Sequence, residues 1–178
     1  MSQPPPPVPP PNVPSPSPTG ASGNADISVR FIAKLIDGVL LFIVTSILTM
    51  IIRPMLPGPR GFIGPGISFT GFGIATLVIA VVSAVIYIAY LSLLESSNGQ
   101  TVGKMVMKLR VVGPDGGNPS MDAALRRNAW VLLSIVPFFG NLLQAALAGY
   151  IGYTIYDNAD NIGWHDTFAG GTRVIKIG

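Results

Sequence analysis

Three apolar runs, separated by polar or Pro/Gly-rich stretches, set the organisation of the chain. Val29–Arg53 reads VRFIAKLIDGVLLFIVTSILTMIIR and carries no charge from Gly38 to Ile52. At about 1.5 Å per residue, a helix of this length crosses a hydrocarbon layer about 30 Å thick. The pattern predicts a first membrane helix from about Ile27 to Ile52, with its bilayer part at about 29–52 and Asp26 or Ser28 as cap. Arg53-Pro54 ends it, and a Pro/Gly-rich connection runs on to Gly71. The second run, about 72–94, lies in a stretch without charge between Arg60 and Glu95. It predicts a second crossing, with Ala80 and Ala84 spaced to admit a neighbouring helix. The third, Asn128–Tyr156, is too long for one straight helix and is broken by Pro137 and Gly140. It divides into an amphipathic helix at about 121–136 that enters the bilayer obliquely and a last crossing at about 141–156. The pairs Ala145/Gly149 and Ala148/Gly152 give that last helix small-residue faces.

The polar stretches complete the layout. Residues 1–28 hold ten prolines between Pro4 and Pro18 and predict a disordered, Pro-rich N-terminal tail. No basic region followed by an apolar run marks it as a secretory signal. Residues 29–178 form the membrane domain. Residues 95–127 are the most basic connection, with Lys104, Lys108, Arg110, Arg126 and Arg127, which predicts a cytoplasmic location for this segment and for the N-terminus. Within it, Lys108–Val112 reads as a short strand, PDGG at 114–117 as a turn and Ser120 as a helix cap. The chain ends in a second strand-like segment, TRVIKI. Short strands are unstable alone in water, and these two can pair only on one side of a membrane. That favours four crossings over three. The expected fold is thus all-α and integral to the membrane, with three to four transmembrane helices and a small cytoplasmic strand-containing loop.

Composition agrees with the pattern. Charged residues are 11% of the chain, against about 25% in soluble domains, and mean hydropathy is +0.54 even with the polar tail included. The net charge of +3 suits membrane topology or anionic lipid better than nucleic acid. With no cysteine and one histidine, thiol chemistry and His-rich or Cys-based metal sites are excluded, and no cofactor or enzymatic constellation is expected.

The candidate chemistry lies in charges placed against apolar sequence. Arg30, Lys34 and Asp37 fall on one face of the first helix. A charge at the centre of a membrane helix costs about 2.5–3.5 kcal/mol on insertion scales, which predicts that this face points into a bundle where Asp37 finds Lys34, Arg30 or another helix. Two readings stay open: a fold-holding ion pair near the membrane surface and an ion- or substrate-binding site. GQTVGKM at 99–105 has too few residues between its glycines for a phosphate loop and lacks the Ser/Thr after lysine, so it reads as a tight turn with a membrane-surface lysine. Asp157, Asp160 and Asp166 do not have calcium-loop spacing. His165 beside Asp166 can relay a proton near neutral pH or hold a backbone carbonyl.

RFIAKLID in the first helix, NGQTVGKMVMKLRVVGPDGG after the second and WHDTFAGGTRV near the end together resemble the RDD family of bacterial integral membrane proteins. The resemblance spans about Val29–Lys176 and identifies Arg30 as the family arginine, with Asp37 and Asp166 as its two aspartates. An extra glycine in AGGT, 169–172, departs from the pattern. The resemblance implies a multi-pass protein of the plasma (inner) membrane and suggests a transport-related role, including cation/proton exchange. On that reading Asp37 is the embedded ion- or proton-binding carboxylate, Arg30 biases its charge, and Asp166 is a gate or second relay at the cytoplasmic face. The alternative is a non-transporting scaffold in which the same residues, with Lys34, form a structural clamp and the Pro-rich tail recruits a protein partner. The lipid bilayer is the common partner, and a homo-oligomer would widen the room for a substrate path.

Overall fold

The computed structural model describes residues 21–56, 74–136 and 139–177. The Pro-rich run, the connection at 57–73 and Pro137 lie outside them.

Strand β1 (Ala21–Asn24) leads into helix α1 (Ile27–Ile52), which Asp26 caps and which a 3₁₀ turn extends through Arg53–Met55. Helix α2 (Ile74–Asn98) is followed by the short helix α3 (Val102–Val106) and strand β2 (Leu109–Val112). Helix α4 (Met121–Asn128) passes into a 3₁₀ segment, Ala129–Ile135. Helix α5 (Gly140–Asp157), helix α6 (Trp164–Phe168) and strand β3 (Arg173–Ile177) complete the described chain.

α1 and α2 are both long and apolar enough to cross a membrane. Only 11% and 17% of the residues in their apolar windows are buried, so most of this surface needs an apolar solvent. On α1 the buried residues are Arg30, Ala33, Asp37 and Leu41, one narrow stripe at helical spacing. Phe31, Leu35, Val39, Phe42 and Met50 face outward.

At one end of the helices sits an antiparallel sheet in the order β1–β3–β2. The pairing of LRVV with the C-terminal strand is observed: Leu109 opposes Lys176 and Val111 opposes Val174. Leu109, Val111, Val174 and Ala25 form a core against Ala33 of α1, with Val29 and Met107 packed on it. The structure differs from the sequence expectation over 21–28. Ala21–Asn24 adds an edge strand to β3 and the helix begins two residues after Ala25, so only the earlier residues remain for a tail.

The segment read as one helix at about 121–136 is two pieces. Ser120 caps α4 as expected, its hydroxyl accepting from Ala123 N. Beyond Asn128 the chain tightens to 3₁₀ and ends at Val136, whose ψ of 120° suits the residue before a proline. The 3₁₀ segment packs along α5 as a helical hairpin.

A buried charge network beneath the first helix

Seven charged side chains converge where α1, α2, α3, α4 and α6 meet the sheet. Arg30, Asp37, Glu95, Lys104, Arg127 and Asp166 are all below a tenth exposed, and Lys34 is half-buried beside them. Burial this complete requires pairing, because an uncompensated ion in a low-dielectric interior costs several kcal/mol.

Asp166 is the hub of one half. It sits at the third position of α6, and its Oδ2 accepts from the Gly163 N–H at 3.1 Å, closing the start of that helix. The same oxygen receives Arg30 Nη1 at 3.1 Å, while Oδ1 lies 3.2 Å from Arg127 Nη2. Arg30 also donates from Nε to the Ala25 carbonyl at 2.9 Å and from Nη2 to the Val174 carbonyl at 3.3 Å. One guanidinium thus ties α1 to α6, to the chain entering α1 and to β3. Its planar fork of donors suits that task as a lysine would not. The turn that places Asp166 is AGGT: Gly170 and Gly171 both have φ near +90°, and the N–H groups of Gly171 and Thr172 return to the Asp166 carbonyl. The extra glycine is one of two adjacent positions that need the left-handed region.

Asp37 anchors the other half, apart from Arg30. Its Oδ2 accepts from Thr101 Oγ1 at 2.5 Å, and its Oδ1 from Gly103 N and Tyr90 Oη, each at 2.8 Å. Thr101 caps α3, so GQTVGKM is a short helix docked on α1 rather than a bare turn. Gly103 is fixed by this docking, because a Cβ there would run into the Ala33 carbonyl and the Asp37 carboxylate.

A third cluster was not foreseen. Glu95, fully buried near the end of α2, is paired with Lys104 and accepts from Asn128 Nδ2 at 3.0 Å. Arg127 Nε lies 4.0 Å away and links this cluster to Asp166. Lys104 is therefore an interior lysine, not a membrane-surface one. Burial pushes its pKa down, and Glu95 opposes that shift.

His165 is buried too. Desolvation takes its pKa down to about 3, against the opposing effect of Asp166, so the imidazole is neutral at pH 7. Burial alone would raise the pKa of Asp166, but Arg127, His165 and Arg30 outweigh it and bring it to about 2. Lys34 completes the set of expected residues. Its ammonium sits 5.4 Å from the ring centre of Trp130, and among the described residues it has no ion-pair partner.

Beside the network lies a cavity of about 270 Å³. Ile27, Phe31, Trp130, Ile151 and Ile155 give it apolar walls, and Arg30, Lys34, Lys104, Arg127 and His165 border it. No carboxylate lines it among the described residues.

A helical protein with two membrane-length helices, closed at one end by a sheet and a buried charge network, is a membrane-associated protein. Its sequence matches the RDD family over residues 24–170, and the chain belongs to that family of membrane proteins. Comparison with curated proteins and with solved structures gives no match in either case. Among the described residues no group of His, Cys, Asp or Glu side chains is arranged to hold a metal ion, and the chain carries no cysteine.

Proposed function

We propose that the chain is a multi-pass, transport-related protein of the plasma membrane. In this reading the cavity takes a charged substrate near the cytoplasmic face, and the network is its rigid base. The observation that carries the reading is the cavity itself: apolar walls with basic groups at the border, opening beside the outward-facing Phe31 of α1. Arg30, Asp37 and Asp166 serve as fasteners, and Lys34 and His165 face the substrate space. A cation is the less favoured cargo, because the lining is basic and the three carboxylates are occupied by donors and cations.

Strand pairing supports the proposed topology through parity. β2 and β3 pair, so residues 109–112 and 173–177 share one side of the membrane. An even number of crossings must separate them, and the hairpin of the 3₁₀ segment with α5 returns the chain whether or not its tip clears the bilayer. With α1 and α2 crossing, both ends are on the cytoplasmic side, and three crossings with an external C-terminus are disfavoured.

The test is flux. The purified chain in proteoliposomes should move ions or solutes above protein-free vesicles under an imposed pH or ion gradient, and Lys34→Gln should reduce that flux. No flux for any cation or anion tested would leave the second reading, a membrane scaffold. That reading is favoured by the three donors that hold the fully buried Asp37 carboxylate as a joint between α1, α2 and α3. Its partner would be recruited by the Pro-rich N-terminal segment, and loss of partner capture on deleting residues 1–20 would support it.

A further inference from the structure

We propose that the cavity between α1 and α5 binds an amphiphile with an acidic head, phosphate or carboxylate, set against Lys34 and Arg127, and an apolar body along Ile27, Phe31, Ile151 and Ile155. The proposal names a ligand class for the site on which the transport reading rests, and it is tested by equilibrium binding rather than flux.

Three observations support it. Four basic side chains, Arg30, Lys34, Lys104 and Arg127, share the buried region with three carboxylates, Asp37, Glu95 and Asp166. Arg30 and Arg127 pair with Asp166 and Lys104 with Glu95, Asp37 is held by neutral donors, and among the described residues no ion pair includes Lys34, whose contact is an indole face. Next, Arg127 is 3% exposed, yet its Nη1 has no hydrogen-bond partner among the described residues. His165 repeats this: its Nδ1 is buried and unpartnered while its Nε2 lies 3.4 Å from Arg127 Nη2. Arg127 can only donate, so Nε2 accepts and the ring proton belongs on Nδ1. Both residues therefore carry a buried N–H group without an acceptor, and other atoms of both side chains border the cavity. A buried donor without an acceptor is unfavourable, and a turn of either side chain toward the cavity would bring its N–H to an anionic acceptor.

The walls separate an amphiphile from a free anion. Ile27, Phe31, Ile151 and Ile155 present no polar side-chain atom, and Gly152 keeps the α5 side open, with a Cβ there meeting only Ile27 Cδ1 at 3.6 Å. A cavity of about 270 Å³ holds a headgroup and the first part of a chain, with the remainder lying over the outward face of α1.

The test uses the full chain in a neutral detergent, with native mass spectrometry to count retained ligand. The probes are dioleoylphosphatidylglycerol, oleate, dioleoylphosphatidylcholine and inorganic phosphate. Phosphatidylglycerol or oleate should be retained at least fivefold over phosphatidylcholine, and Lys34→Gln should remove most of that preference. Gly152→Leu, which fills the cavity and leaves every charge in place, should lower retention at least fivefold and provides a second readout if Lys34→Gln does not fold. Equal retention of the acidic and zwitterionic lipids, or a preference that survives Gly152→Leu, would overturn the proposal. Inorganic phosphate displacing the lipid completely at millimolar concentration would also overturn it, in favour of a small-anion site. Binding without flux would leave this inference standing and remove the transport reading. Flux without acidic-lipid binding would do the reverse.

Discussion

Replacing Asp37 separates a fastener from a coupling group. The carboxylate takes hydrogen bonds from Thr101 Oγ1, Gly103 N and Tyr90 Oη while fully buried. A hydrogen bond to a charged group contributes about 1.5–3 kcal/mol, and each donor stranded in the interior costs about 1–3 kcal/mol. Asp37→Asn keeps an oxygen for Gly103 and Tyr90 but turns an amide N–H₂ toward Thr101, whose hydroxyl already accepts from Lys104 N. It should therefore lose about one charge-assisted bond, roughly 2 kcal/mol. Asp37→Ala strands the Thr101 and Gly103 donors as well and should lose about 4 kcal/mol. Reversible unfolding in mixed micelles, with denaturing detergent as the variable, measures both. A coupling carboxylate predicts a different pattern, in which Asp37→Asn is as stable as the parent and flux alone is abolished. If Asp37→Asn falls within about 0.5 kcal/mol of the parent, a change expected of surface substitutions rather than buried anchors, the fastener account is refuted.

Gly103→Ala should destabilise by about 1–3 kcal/mol through overpacking against the Ala33 carbonyl, with loss of α1–α3 docking read as faster proteolysis after Thr101. Acid should weaken the protein in two stages. The native pKa of His165, about 3, lies below its ordinary 6.5, so the unfolded chain binds the extra proton first and stability falls as pH drops from 6.5 toward 3. Asp166, at about 2 against an ordinary 3.8, contributes fully above 3.8 and is lost as pH falls toward 2. Unfolding of His165→Gln should therefore be nearly flat between pH 6.5 and about 5.5 and should steepen below that, as the buried carboxylates of the network take up protons on unfolding; an unchanged slope in the upper window would contradict the buried neutral histidine. Reporter fusions after Gly117 and after Gly178 should both report the cytoplasm; an external signal from one alone breaks the parity set by the β2–β3 pairing, and from both it reverses the proposed orientation.

The membrane helices were legible because their signal is local: uninterrupted apolar length, a cap and a proline stop. The sheet was half legible. LRVV and TRVIKI stand out between turns, whereas Ala21–Asn24 reads ASGN, a loop composition that becomes a strand only because β3 offers an edge. The charge network was legible in its members and not in its pairing. Arg30 and Asp37 share a helix face, which suggests that they meet, yet two turns of helix separate them and each reaches a different element. Glu95 is the first charge after the second apolar run, and nothing local in the sequence marks it as buried. Arg126 and Arg127 are adjacent and chemically alike, yet the first pairs at the surface with Asp122 and the second is buried with Ala124 and Asn128 on the inner face of α4. The i, i+3, i+4 spacing of Ala124, Arg127 and Asn128 carried that information, but only an inner face identified beforehand would have made it readable.

The central claim is that Arg30 and Asp166, 136 positions apart in sequence, lock the first membrane helix to the C-terminal helix and strand. A double-mutant cycle with Arg30→Met and Asp166→Asn, read as unfolding free energy in micelles, measures that link directly. A coupling energy of about 2 kcal/mol or more is the predicted result, since each single change takes from a buried charge one of its partners, leaving Arg127 alone on Asp166 in Arg30→Met. Additivity of the two changes within about 0.5 kcal/mol would contradict it.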